Sequence, residues 1–120
     1  MGPLARLCVA AALLMVACAP EPPASDPVAR GRQVYRALGC GSCHEANLFG
    51  RRTGPPLEHV GTLAATRREG LGAADYLRES VESPGAYLAP GYPDAMPRRL
   101  TRGLSPTDID ALIAYLLSLN

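Results

Sequence analysis

Cys40-Gly41-Ser42-Cys43-His44 sets two thiols three positions apart with an imidazole directly behind them. One helical turn brings residues three and four apart onto the same face. Both thiols can then reach the two vinyl groups along one edge of a porphyrin and form thioethers. His44 is carried beneath the iron, where it can serve as proximal ligand. A Cys-x-x-Cys-His run is the attachment signature of a c-type haem. Gly39 and Gly41 leave the backbone room to approach the macrocycle. Three other chemistries use the same residue types. A redox dithiol calls for βαβ surroundings, and no strand-period run flanks the motif. A zinc site from Cys40, Cys43, His44 and His59 would need adjacent Cys43 and His44 to chelate one tetrahedral ion, and the spacing to His59 is wrong for a finger. A Cys40–Cys43 disulfide would close too small a loop to stabilise much. One covalently bound haem c is the expected cofactor.

A chain of 120 residues holds one domain plus whatever precedes it. A formal net charge of +1 leaves no electrostatic footprint for nucleic acid, so none is expected as a partner. All 12 basic residues are arginine, a compositional bias rather than a mechanism. With no tryptophan and one phenylalanine, the aromatic supply for a core is thin. A domain of this size is marginal on its own, and a buried haem would contribute the flat apolar surface that its side chains lack.

The N-terminal segment reads as processing signal. After a short start with one positive charge, Leu7 to Ala17 is apolar and small, too short to span a bilayer and suited to a signal-peptide core. Leu14-Met15-Val16-Ala17-Cys18 resembles the lipobox of bacterial lipoproteins, with Met15 where leucine is usual. That resemblance implies lipidation at Cys18. The alternative is ordinary cleavage after Ala19, because Ala17-Cys18-Ala19 also fits a small-x-small site and would give a soluble periplasmic protein. Pro20 to Pro27 carries four prolines in eight residues, an extended spacer that at about 3.1 Å per residue would hold the domain ~25 Å from its anchor. The expected organisation is a signal peptide over residues 1–17, a lipid-anchored tether over 18–27 and a domain over 28–120, membrane-anchored on the extracytoplasmic, periplasmic side.

Within the domain, Asp26 before Pro27 predicts an N-cap with proline at the first helical position, opening a helix from about Val28 to Leu38. Gly31 lies mid-helix, where glycine costs roughly 1 kcal/mol against alanine and so usually has a packing reason. At the other end, Ser105, Pro106 and Asp108 mark a second helix start, with Leu104 and Ile109 at the positions of a hydrophobic staple. Ile109, Leu112, Ile113 and Leu116 continue it as an apolar stripe. Asp75 to Glu82 is a third helix, with Leu77 and Val81 four apart and Ser83-Pro84 as its stop.

These features resemble the class I cytochromes c, over nearly everything from Asp26 to Asn120. In that family the first and last helices cross at a small residue flanked by aromatics; Gly31 and Tyr35 match one side, Leu112 and Tyr115 the other. The resemblance implies an all-α class I cytochrome c fold, three main helices plus loops wrapped around one covalently bound haem. Gly54-Pro55-Pro56-Leu57 looks like the family's Gly-Pro-x-Leu turn, which implies that the Pro55 carbonyl accepts a hydrogen bond from the proximal His44 and orients it. The loop from Gly91-Tyr92-Pro93 to Met96-Pro97 resembles that of small bacterial cytochromes c, and of cytochrome c domains attached to respiratory complexes, whose methionine is the second axial ligand. Elimination agrees: once a signal peptide is removed, Met96 is the only methionine left, and His59 is expected at the surface. Metal ligation is therefore assigned to His44 and Met96.

Two thioethers, a histidine and a methionine leave no open position on the iron, and Met/His ligation raises its potential. The expectation is a one-electron carrier, not itself an enzyme, working between redox proteins such as a respiratory complex, an oxidase or a dehydrogenase. The alternative is the small haem subunit of a multi-subunit oxidoreductase, or a haem enzyme with a displaceable methionine. Tyr87 and Tyr92 are candidates for haem-propionate contacts, and Arg98, Arg99 and Arg102 for a basic rim that steers an acidic partner.

Overall fold

The computed structural model describes Gly2 and residues 21–120; the signal peptide expected over 1–17 and the lipidation expected at Cys18 lie outside the described residues. The first helix, α1, spans Pro27–Ala37. Asp26 caps it by accepting from the Ala29 amide at 2.7 Å, satisfying one of the orphan donors of the first turn. The last helix, α5, spans Pro106–Leu117. The Ser105 hydroxyl accepts from the Asp108 amide at 3.1 Å and donates to the Asp108 carboxylate at 2.7 Å.

α1 and α5 make the most extensive helix–helix contact of the fold. Gly31 is the reason they can approach so closely. A Cβ built there would lie 1.9 Å from the Ala111 carbonyl oxygen and 2.6 Å from Tyr115 Cβ, so the α5 backbone occupies the space of the missing side chain. Tyr35 and Tyr115 meet edge-to-face beside it, ring centroids 5.3 Å apart. Leu112 beneath the crossing is 0% exposed. Arg30 reaches across to Asp108, Nε to Oδ1 at 2.8 Å.

Three further helices complete an all-helical set with no strand among the described residues. The one-turn helix α2 spans Gly41–His44, α3 spans Val60–Arg67 and α4 spans Ala73–Glu82. The three main helices expected from the sequence therefore gain a fourth, α3, which the patterns do not announce. Its N-cap, His59, makes no side-chain bond, and glycine with β-branched residues weakens its propensity. Tertiary contact makes it: the Gly61 amide donates to the Leu119 carbonyl at 2.8 Å, so the C-terminal segment caps α3. A Cβ on Gly61 would come 2.2 Å from the Leu117 carbonyl oxygen. α4 begins two residues before the expected Asp75.

The proline-rich tether departs from expectation. Residues 22–24 do not stand off as a spacer but fold back along α1. The Gln33 amide accepts from the Ala24 N–H at 2.8 Å and donates to the Pro22 carbonyl at 3.1 Å. A side-chain amide can mimic a backbone partner in this way, a long-range match that composition does not reveal. Of the tether expected over 18–27, residues 22–24 therefore lie against α1.

Candidate haem site

α1, α3, α4 and α5 pack around one side of a predominantly apolar cleft, and the irregular segment after α4 closes the other. The cleft holds about 1310 Å3 of empty space, counting its open mouth, and Cys40, Cys43, His44, Pro55 and Met96 all line it. Leu77, Val81, Leu112 and Leu116 supply its floor.

The chain turns out of α1 with the Cys40 amide bonded to the Tyr35 carbonyl at 3.2 Å, and α2 then winds so that His44 N–H donates to Cys40 O at 3.1 Å. Cys40 and Cys43 are thereby set one turn apart, with no disulfide between them. Burial pushes the Cys40 thiol above its ordinary value. A redox dithiol needs the opposite shift, and the βαβ setting is missing as well. The zinc alternative also fails: among the described residues no three His, Cys, Asp or Glu side chains gather into a metal site, and His59 is exposed at the start of α3.

His44 Nδ1 lies 2.7 Å from the Pro55 carbonyl oxygen. A carbonyl can only accept, so Nδ1 carries the proton and the lone pair of the neutral ring is on Nε2. Gly54 makes the approach possible; a Cβ there would stand 2.8 Å from His44 Cε1. The Cys43 carbonyl anchors the same turn by accepting from Thr53 and Gly54 at 3.0 and 2.9 Å. Below the motif, the Tyr35 hydroxyl donates to Glu45 at 3.2 Å. Burial first, then the Glu45 charge and this bond, raise the Tyr35 phenol well above its usual range. The Glu45 contact was not foreseen; nothing local in the sequence pairs it with Tyr35.

Met96 is half-buried and lines the same cleft. Its loop is held by Ala95 N–H to Pro93 O at 2.9 Å and Tyr92 N–H to Ala89 O at 3.2 Å. Asp94 and Arg98 pair across it, and the Arg98 guanidinium lies directly against Gly85. All three arginines of the suggested basic rim are exposed, but Arg98 is partly neutralised by Asp94, while Arg99 and Arg102 make no ion pair among the described residues. Tyr87 also has another task. Its hydroxyl donates to the Arg67 carbonyl at 2.9 Å, its ring meets Tyr76 edge-to-face at 6.0 Å, and so it braces α3 against α4. Tyr92 lines the cleft.

The residues fit a haem on the chemistry of the donor set: two thiols one turn apart, an imidazole with its lone pair on Nε2, a thioether in the same cleft and apolar side chains lining it. An all-helical shell around such a cleft defines a haem-binding electron carrier. The family model for cytochrome c matches residues 28–120, and the chain belongs to the cytochrome c family. Its cofactor is accordingly covalent haem c. No curated protein matches the chain at a significant level.

Proposed function

We propose that this chain carries single electrons at the extracytoplasmic face of a membrane, through a haem c held by Cys40 and Cys43 and ligated by His44 and Met96. The bound haem supplies a one-electron ferric/ferrous couple. Cys40 and Cys43 fix its edge, and the Pro55 carbonyl holds the His44 ring in one tautomer and raises its basicity. Met96 offers a neutral, weak donor that favours the ferrous state. The apolar floor keeps water out and disfavours the added positive charge of the ferric state. A haem held by both His44 and Met96 would have no open position for a substrate, which favours transfer between redox proteins over catalysis. Arg99 and Arg102 beside the Met96 loop suit an acidic partner surface. Lipidation at Cys18 would keep the domain on the membrane where such partners reside.

The observation that carries this reading is the 2.7 Å His44–Pro55 bond in a cleft that Met96 also lines. Met96→Ala should leave the haem attached but open the iron on one side. Its far-red sulfur-to-iron band is lost, the potential falls and the ferrous protein binds carbon monoxide; His59→Ala does none of this. An unchanged spectrum in Met96→Ala, with a change in His59→Ala, would reverse the ligand assignment.

A further inference from the structure

The segment leaving α2 is closed at its base by the two bonds to Cys43 O, and its tip is a tight turn built by Asn47. The Asn47 side-chain oxygen accepts from Phe49 N–H at 2.9 Å and Arg51 N–H at 3.0 Å. Asn47 N–H donates to Arg51 O at 2.9 Å, and Gly50 N–H to Asn47 O at 2.9 Å. A tip held this firmly presents whatever side chains it carries. It carries Leu48, 100% exposed, and Phe49, 85% exposed, the two most exposed large apolar side chains among the described residues. Arg51 follows them, exposed, while Arg52 is engaged by Glu58 at 2.5 Å. No acidic residue lies between Leu48 and Arg52.

The course of the tether indicates what covers this tip. Because Pro22 and Ala24 are bound to Gln33, the chain leaves the domain beside the last turns of α1, where Glu21 shares a groove with Arg36 and Ala37. That is the end of α1 leading into Cys40 and then into the Asn47 turn; the Tyr35–Glu45 bond keeps the start of the loop at the same level. The three-residue step from Glu21 to Cys18 reaches at most about 10 Å. A lipid on Cys18 would therefore hold this end of the domain against the bilayer.

We propose that Leu48 and Phe49 insert into the headgroup region of the lipid bilayer, with Arg51 against the lipid phosphates, as a second membrane contact that fixes the orientation of the domain. The proposal rests on the reading of Cys18 as the lipidated residue. Apolar tips beside cations bind bilayer interfaces in this way, weakly alone and effectively once a lipid chain has brought them there.

The test uses the acylated, haem-loaded protein with its signal peptide removed, on vesicles of phosphatidylethanolamine and phosphatidylglycerol, with a nitroxide on Leu48→Cys. With Cys8 removed with the signal peptide, Cys18 acylated and Cys40 and Cys43 in thioethers, this thiol is the only free one; Glu69→Cys, on the turn after α3, is the control. In the ferrous state, vesicle binding should abolish access of an aqueous nickel chelate to the label at position 48 and leave position 69 unchanged. Adding Phe49→Ser to the labelled protein should restore access with the haem spectrum intact, which misfolding would not reproduce. A protein that sediments with vesicles while position 48 stays in water overturns the docking and leaves the anchor standing. A protein that does not sediment overturns the anchor and the docking together. Shielding only in native membranes, and not on protein-free vesicles, assigns the tip to a protein partner and overturns the lipid contact.

Discussion

The crossing of α1 and α5 and the wall that carries Met96 bury their apolar side chains by different means. At the crossing, protein meets protein: Gly31 admits the α5 backbone, Leu112 is completely enclosed, and Asp26 and Ser105 close the two helix starts. The Met96 wall has no regular structure from Pro84 to Leu100 beyond short turns. It leaves Leu88 exposed and Met96 half-buried over the cleft. One region is an interface between two helices. The other lines the cleft that the family's covalent haem occupies. Binding free energy for the haem is therefore part of the folding free energy of the wall, as it is for any site that is incomplete without its ligand.

The largest expected effect follows from that asymmetry. Cys40→Ala with Cys43→Ala, which cannot retain the haem covalently, should abolish the cooperative thermal transition while leaving residual helix, because the crossing alone buries too little surface to hold a domain of this size. Circular dichroism of the haem-free double variant makes the measurement. A sharp transition would mean that the crossing carries the fold and the haem only decorates it.

Next comes the crossing itself. Gly31→Val puts a branched side chain where even a Cβ stands 1.9 Å from the Ala111 carbonyl oxygen. The helices must part, at a cost of about 3 kcal/mol, or roughly 12–24 °C in Tm for a domain near this size. The far-red band of the haem-loaded variant should persist at room temperature, since neither His44 nor Met96 sits on this contact. The wall should respond the other way round. Gly85→Ala displaces only the flexible end of Arg98, so global stability should move by less than about 1 kcal/mol. The loop bracketed by the Asp94–Arg98 pair is loosened, and the far-red band should fade at a lower temperature than in the wild type, ahead of unfolding. If the band and the global transition always move together in both variants, the two regions are one cooperative unit and the contrast dissolves.

The same contrast explains what could be read in advance. The crossing was legible because its signals are local: a cap before a proline, a glycine inside a helix, an apolar stripe of period 3.6. The haem motif was legible because covalent attachment demands a fixed spacing. α3 was not, since its first turn is satisfied by the Leu119 carbonyl, far away in sequence. The folded-back tether was hidden for the same reason, its amide partner Gln33 being an unmarked polar residue on a helix surface. Proline content says nothing of what that backbone lies against. The placement of Arg98 on Gly85 likewise depends on how the segment after α4 returns to the cleft, which no periodicity encodes.

The smallest effect tests the charge that ties the two halves of the crossing. The Asp108 carboxyl is held below its ordinary range, first by the hydrogen bond from Ser105 and then by Arg30. A carboxylate whose pKa is depressed on folding contributes stability that is fully present above its unfolded value of about 3.9 and is lost as pH falls through the folded value. Asp108→Asn keeps the size of the side chain, but its amide must replace a charge-assisted acceptor for both Ser105 and Arg30. The variant should melt slightly below the wild type at neutral pH, and the gap should narrow below about pH 4 as the wild-type carboxyl takes up its proton. Raising the salt concentration should narrow the gap as well, because the pair is partly exposed and screened. Arg30→Ala should remove most of the salt dependence and leave the Ser105 cap in place. A gap that is constant from neutral to acid pH would show that the hydrogen-bond geometry of the cap, and not the carboxylate charge, is what Asp108 brings to the crossing.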